Sequence, residues 1–192
     1  MRQIGYNSQR DNFSFAGKFP GWAQCFSTSA WMFMSYFEPT VRANDDEGLA
    51  AYVDDVEASV GDIGIGERIM GKIAPNVRTS TYWKVQHAAI QERLPDKKIA
   101  LDLKFPVPQL PSLVSKGPVI IGTNKMGGLP GGHIILLVDT VPGDASFVAN
   151  DPYGNARVKY MSKEGAGLFY PFAWLMEYID YGGNTCRVIY AI

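Results

Sequence analysis

Apolar residues crowd the chain between Cys25 and Phe37, where Phe26, Ala30, Trp31, Met32, Phe33, Met34, Tyr36 and Phe37 leave almost no polar face. That pattern predicts a helix buried inside a domain, closed by Pro39. Glu47 to Val60 reads as a second helix, with Leu49, Tyr52, Val53 and Val56 on one side. The Gly-rich piece Gly61 to Gly71 has no clear period. Thr81 to Leu94 is helical again, Lys98 to Leu103 a strand, and Val107 to Ser115 a short helix with Pro111 near its start. After Gly117 the pattern changes. Val119 to Gly122, His133 to Asp139, Ser146 to Asn150 and Ala156 to Tyr160 read as strands. Ile134 to Val138 and Val119 to Ile121 are continuously apolar, as strands buried on both faces are. Pro171 to Ile179 predicts a last helix and Cys186 to Ile192 a last strand. The expectation is an α+β domain: a helical N-terminal half packed on an antiparallel sheet from the C-terminal half.

Length and composition fit this. The 192 residues suit one domain, and 46% hydrophobic residues supply a sizeable core. With 18 basic and 19 acidic residues and no basic run, nothing favours a nucleic-acid partner. The acidic groups at Asp45-Asp46-Glu47 and Asp54-Asp55 read as a solvated face. The first dozen residues lack the apolar core of a signal peptide, and no stretch is long enough to span a membrane. A chain starting at a native Met1 is expected to be made in the cytosol and to stay there unless released. Gly167 to Trp174 is an aromatic cluster that reads as core, with a binding ledge as the alternative.

The two cysteines, Cys25 and Cys186, lie far apart and do not form a disulfide framework. The two histidines, His87 and His133, stand at no metal-ligand spacing, so neither a metal nor another cofactor is expected. Cys25 follows the Pro20-Gly21 turn and opens the buried helix. Helix-end N–H groups stabilise a thiolate there, and a thiolate is a nucleophile. Alone, Cys25 reads first as a buried structural cysteine. His133 opens an apolar strand after Pro130-Gly131-Gly132, where its ring can face a cleft; His87, mid-helix, suits a packing role. A basic imidazole needs an acceptor for its second ring nitrogen. Asn150-Asp151-Pro152 ends the next strand, so a hairpin turning at Pro142-Gly143-Asp144 permits contact. Only one of Asn150 and Asp151 can point at the ring. Gln9, or Gln24 beside the nucleophile, is a possible amide donor to an oxyanion.

In order, these residues resemble the papain-like cysteine peptidases and, more narrowly, the C39-like family. Ser8-Gln9-Arg10-Asp11-Asn12 resembles the family's oxyanion-glutamine segment. Gln24 through Met32 resembles its nucleophile helix, Gly131-Gly132-His133 through Val138 its histidine strand, and Val148 through Gly154 its aspartate strand. The resemblance implies Cys25 as nucleophile, His133 as base, Asp151 as orienter and Gln9 as oxyanion donor. It departs at two places: the Gln9-to-Cys25 gap is long, and Thr123 to Gly132 looks like an extended Gly-rich loop that could overhang the cleft. The implied activity is cleavage of peptide or amide bonds. Stand-alone relatives include cell-wall hydrolases of phage-lysin type, which implies a peptidoglycan endopeptidase or amidase. The alternatives are an intracellular or virion-processing peptidase, an acyl-transferring relative, and a binding module on the same fold.

Overall fold

In the computed structural model the described residues are 2–17, 19–62, 75–179 and 184–192. The expected Gly61–Gly71 segment falls almost wholly outside them. The chain runs α1 (Cys25–Phe37), α2 (Asp46–Asp62), α3 (Pro75–Arg93), β1 (Ile99–Pro106), α4 (Leu110–Lys116), β2 (Val119–Asn124), β3 (Gly132–Thr140), β4 (Ser146–Asn150), β5 (Leu168–Pro171), α5 (Phe172–Ile179) and β6 (Thr185–Ala191). The six strands form one antiparallel sheet in the order β1-β6-β2-β3-β4-β5. The helical first half and the antiparallel sheet are those read from the sequence.

The continuous apolar runs of β2 and β3 have a simple cause. Successive side chains point to opposite faces, and both faces are covered. Ile120, Ile134, Leu136, Val138 and Ile189 join the core under α1, α2 and α3. Val119, Ile121, Ile135, Leu137, Phe147 and Val188 join a second core with residues of α4 and α5. Helix α1 is apolar all round because it lies between the sheet and the other two long helices. Phe26, Ala30, Met32, Phe33 and Met34 are fully enclosed.

One strand was expected in the wrong place. Ala156–Tyr160 pairs with nothing; it opens with a 3-10 turn over Ala156–Val158, and Lys159 and Tyr160 take left-handed φ values of 52° and 59°. Local hydrogen bonding wins over a ladder here. The Asn155 side chain accepts from the Arg157 N–H, and the Tyr160 N–H donates to the Asn155 carbonyl at 2.9 Å. The edge position beside β4 goes to β5, drawn from the aromatic cluster. Within that cluster Tyr170 is fully buried, Phe169 is exposed, and Phe172 and Trp174 are half-buried. The cluster is therefore core on one side only.

The expected overhanging loop is also shorter than its composition suggests. Thr123 and Asn124 still pair with His133 and Gly132, so only residues 125–131 turn. Met126 in that turn is fully buried in the second core. At Gly127, whose φ is 60°, a Cβ would meet the Tyr160 ring at 2.5 Å, so the turn packs tightly on that tyrosine.

Candidate active site

Strand pairing sets the site. Leu136 faces Asn150 across β3 and β4, so the residue after Asn150 lies toward the start of β3, where His133 stands. His133 is fixed from the backbone: its carbonyl accepts from the Thr123 hydroxyl at 3.1 Å, and the next carbonyl, of Ile134, accepts from the Ser29 hydroxyl of α1 at 3.2 Å. The second bond docks α1, the helix that Cys25 opens, directly beside the histidine.

The His133 ring donates from Nε2 to Asp151 Oδ1 at 2.7 Å, a short charge-assisted geometry, with both side chains buried. Cys25 lies near enough to bear on the imidazole, since its side chain contributes to the ring's upward shift. Burial works against the imidazolium, but the Asp151 carboxylate, its hydrogen bond and the Cys25 side chain outweigh it. Together they push His133 up to about 10.

Asp151 is completely bonded, which keeps a fully buried carboxylate tolerable. Oδ1 also accepts from the Tyr153 N–H at 3.0 Å. Oδ2 accepts from the hydroxyls of Tyr170 at 3.0 Å and Tyr160 at 3.3 Å. Burial and the adjacent carboxylate push both phenols far above their ordinary range, so they remain donors. The left-handed backbone at Tyr160, which costs on the order of 1 kcal/mol, delivers that hydroxyl. Sequence reasoning missed both tyrosines. Tyr160 was placed in a strand and Tyr170 in a generic aromatic cluster, and neither position carries a signal of its own.

The main chain around Asp151 is held just as firmly. Its N–H donates to the Gly165 carbonyl at 2.8 Å, and at Gly165 a Cβ would collide with the Asp151 carbonyl. The Tyr6 hydroxyl donates to that same carbonyl, 3.0 Å away. Burial pushes the Tyr6 phenol up to about 12. Arg10 lies over the Tyr153 ring, 5.3 Å from its centre, and donates to the Tyr160 carbonyl. The N-terminal segment thus forms a roof over the aspartate turn.

Asn150 points the other way. Its amide nitrogen lies 3.4 Å from the Ile4 carbonyl and 3.3 Å from that of Gly5, and its oxygen accepts from the Gly167 N–H. Of the two adjacent candidates, Asp151 is the one at the ring.

Gln9 is buried under the loop that delivers Cys25. Its amide nitrogen donates to the carbonyls of Gly21 at 3.1 Å and Trp22 at 2.8 Å, and its backbone N–H to Pro152 at 2.9 Å. It therefore links the loop before Cys25 to the aspartate turn. Gln24, also buried, donates from its amide nitrogen to the Phe19 carbonyl at 2.8 Å. Helix α1 has no side-chain cap, so its first N–H groups, including that of Cys25, are not engaged by one.

Cys25 is half-buried and Cys186 fully buried; both are free thiols. Burial, with Asp102 nearby, pushes Cys186 up to about 12 and keeps it protonated. His87 contacts the Ile99 carbonyl at 3.0 Å, a packing role. Among the described residues, no group of three or more His, Cys, Asp or Glu side chains is arranged to hold a metal, and no helix is long and apolar enough to cross a membrane.

No protein-family model and no curated protein matches this sequence. Among solved structures, the chain matches the crystal structure of a candidate C39-like peptidase from Bacillus anthracis. The TM-score is 0.55, over 99% of this chain and 94% of that one, at 14% sequence identity. At that identity the likeness establishes a shared fold, which agrees with the α+β architecture described above.

Proposed function

We propose that this protein is a cysteine peptidase or amidase in which Cys25 is the nucleophile, His133 the base and Asp151 the orienter. The observation that carries the reading is the His133 imidazole, held through Nε2 by a buried carboxylate, with the half-buried Cys25 thiol at a helix start close enough to raise its pKa. His133 takes the Cys25 proton, and the thiolate attacks the carbonyl carbon of the substrate. The oxyanion that forms is stabilised by the Cys25 backbone N–H, with Gln9 as the proposed second donor once its amide turns from a loop carbonyl. The imidazolium then protonates the leaving amine, and a thioester remains on Cys25. Water, deprotonated by His133, attacks the thioester and releases the acid and the free thiol.

The proposed substrate is the peptide part of peptidoglycan, cut by an endopeptidase or amidase of lysin type. Support for it is the family resemblance in the sequence. Purified cell wall and, in parallel, unfolded casein are incubated with the protein and with Cys25→Ala, and products are read by mass spectrometry. New peptide or amide termini from the wall with the native chain alone are expected. Cleavage of casein alone moves the assignment to a protein-processing peptidase. Turnover by Cys25→Ala refutes the thiol mechanism, and transfer to an added amine in place of water makes the protein an acyltransferase. Binding without turnover by the native chain leaves a non-catalytic module.

A further inference from the structure

Beside the nucleophile lies a buried polar cluster that the mechanism above does not use. Gln86 of α3, fully buried, has its carboxamide completely committed. The Tyr52 hydroxyl donates to its oxygen at 2.7 Å. Its nitrogen donates to the Ser27 hydroxyl at 2.9 Å and to the Tyr82 hydroxyl at 3.1 Å. Ser27 is two residues after Cys25, and the Tyr82 ring packs edge-on against Phe26 at 5.4 Å. The Tyr82 oxygen is thus anchored as an acceptor on the wall next to Cys25. The Ser27 hydroxyl, which already accepts from Gln86, bonds the same phenol oxygen and can donate its own proton to it. A phenol has one proton, and with Gln86 and Ser27 both donating it is not taken up. Tyr82 is also half-buried where Tyr52 is sealed. Burial and the charge of Cys25 push its phenol up to about 12, so it stays a donor at neutral pH.

We propose that Tyr82 is a substrate-positioning residue whose hydroxyl, fixed by Gln86 on the wall beside Cys25, donates to a main-chain carbonyl of the acyl part of a peptide substrate. Several polar groups are invested in one orientation: Tyr52 sets Gln86, and Gln86 sets Tyr82. Such an arrangement suits a donor whose direction matters. A main-chain carbonyl is the partner because every peptide carries one at that position, whatever its side chains. The inference rests on the reading of Cys25 as nucleophile.

The test compares two thiol reagents on the native chain and on Tyr82→Phe, which keeps the ring and removes the hydroxyl. A tri-alanine (acyloxy)methyl ketone carries a peptide main chain; iodoacetamide carries none. In Tyr82→Phe the half-saturating ketone concentration should rise three- to tenfold, the loss of one neutral hydrogen bond. The limiting labelling rate and the iodoacetamide rate should stay within twofold. Equal ketone saturation in the two proteins overturns the inference. A parallel fall in both reagents' rates also overturns it, because that is the mark of a structural role. If neither reagent labels Cys25 in the native chain, the nucleophile assignment fails, and this inference with it.

Discussion

Replacing Asp151 by Asn should reshape the pH dependence of stability, and the size of the effect follows from the His133 environment. The experiment is done in a Cys25→Ala background, so that the nucleophile's proton does not enter the count. In the folded protein His133 is raised to about 10, against about 6.5 in an unfolded chain. Below about 6.5 both states hold the proton and the pair's stabilisation is fully present. Between about 6.5 and 10 the folded state holds one proton that the unfolded state has released. Stability therefore falls with rising pH, by about 1.4 kcal/mol per unit. Cys186 acts in the same direction, but only once an unfolded thiol begins to ionise, nearer pH 9, and its folded value is about 12. The window from pH 6.5 to 8.5 belongs mainly to His133, and stability is expected to fall across it, by at most about 2.3 kcal/mol. Asp151 supplies the larger part of the upward push, so its direction survives removal of the thiol, with a folded value below that of the native chain. In Asp151→Asn the carboxylate is gone and burial prevails, which disfavours the imidazolium. Both states are then neutral above pH 6.5, and the slope should vanish. Urea unfolding at pH 6.5, 7.5 and 8.5 measures it directly. A flat profile with Asp151 present, or an equal slope in both proteins, refutes the account of this pair.

The other predictions are simpler. Tyr170→Phe removes one of two hydroxyls from Asp151 Oδ2 and should cost about 2 kcal/mol, a bond to a charged group, with a fall of several degrees in the thermal midpoint; an unchanged midpoint would refute it. Brief iodoacetamide treatment should label Cys25 and spare Cys186 until the protein is unfolded, as read by peptide mapping. In single-turnover assays His133→Ala should lose nearly all activity and Asp151→Ala retain more, while Gln9→Ala should lower turnover about 10²–10³-fold with little change in substrate binding. Asn150→Ala should keep the chemistry, because its amide serves Ile4, Gly5 and Gly167; an inactive Asn150→Ala beside an active Asp151→Ala would overturn the choice of orienter.

Periodicity exposed those parts of the fold that burial governs. An all-round apolar helix and continuously apolar strands can be read because both follow from being covered on every side. The hairpin argument likewise brought His133 and Asp151 within reach of each other, since it needed only strand order and a turn. What stayed hidden depends on local polar competition. Ala156–Tyr160 has the composition of a strand, yet the Asn155 side chain and a left-handed Tyr160 make it a turn. The hydroxyls around Asp151 come from tyrosines whose rings pack as core, so their polar ends left no pattern. Gln9 was noticed for its amide, but its bonds to Gly21, Trp22 and Pro152 depend on where a long lead-in folds back. The Tyr52–Gln86–Tyr82 cluster joins two helices at positions that sequence spacing does not relate.

The roof over the aspartate turn bears on how the site comes into being. Tyr6 meets the Asp151 carbonyl across 145 residues of sequence, and Gln9 meets Pro152 across a similar span. On the ribosome Cys25 therefore emerges with its helix long before any base exists, and His133 emerges before its acceptor. The acceptor is sealed only after Tyr170 has been made and the first ten residues have closed over it. The Cys25 thiol is thus exposed first and its surroundings are completed last. A chain still in synthesis carries a thiol without an oriented imidazole, and the finished cluster waits on contacts that span about 145 residues of sequence.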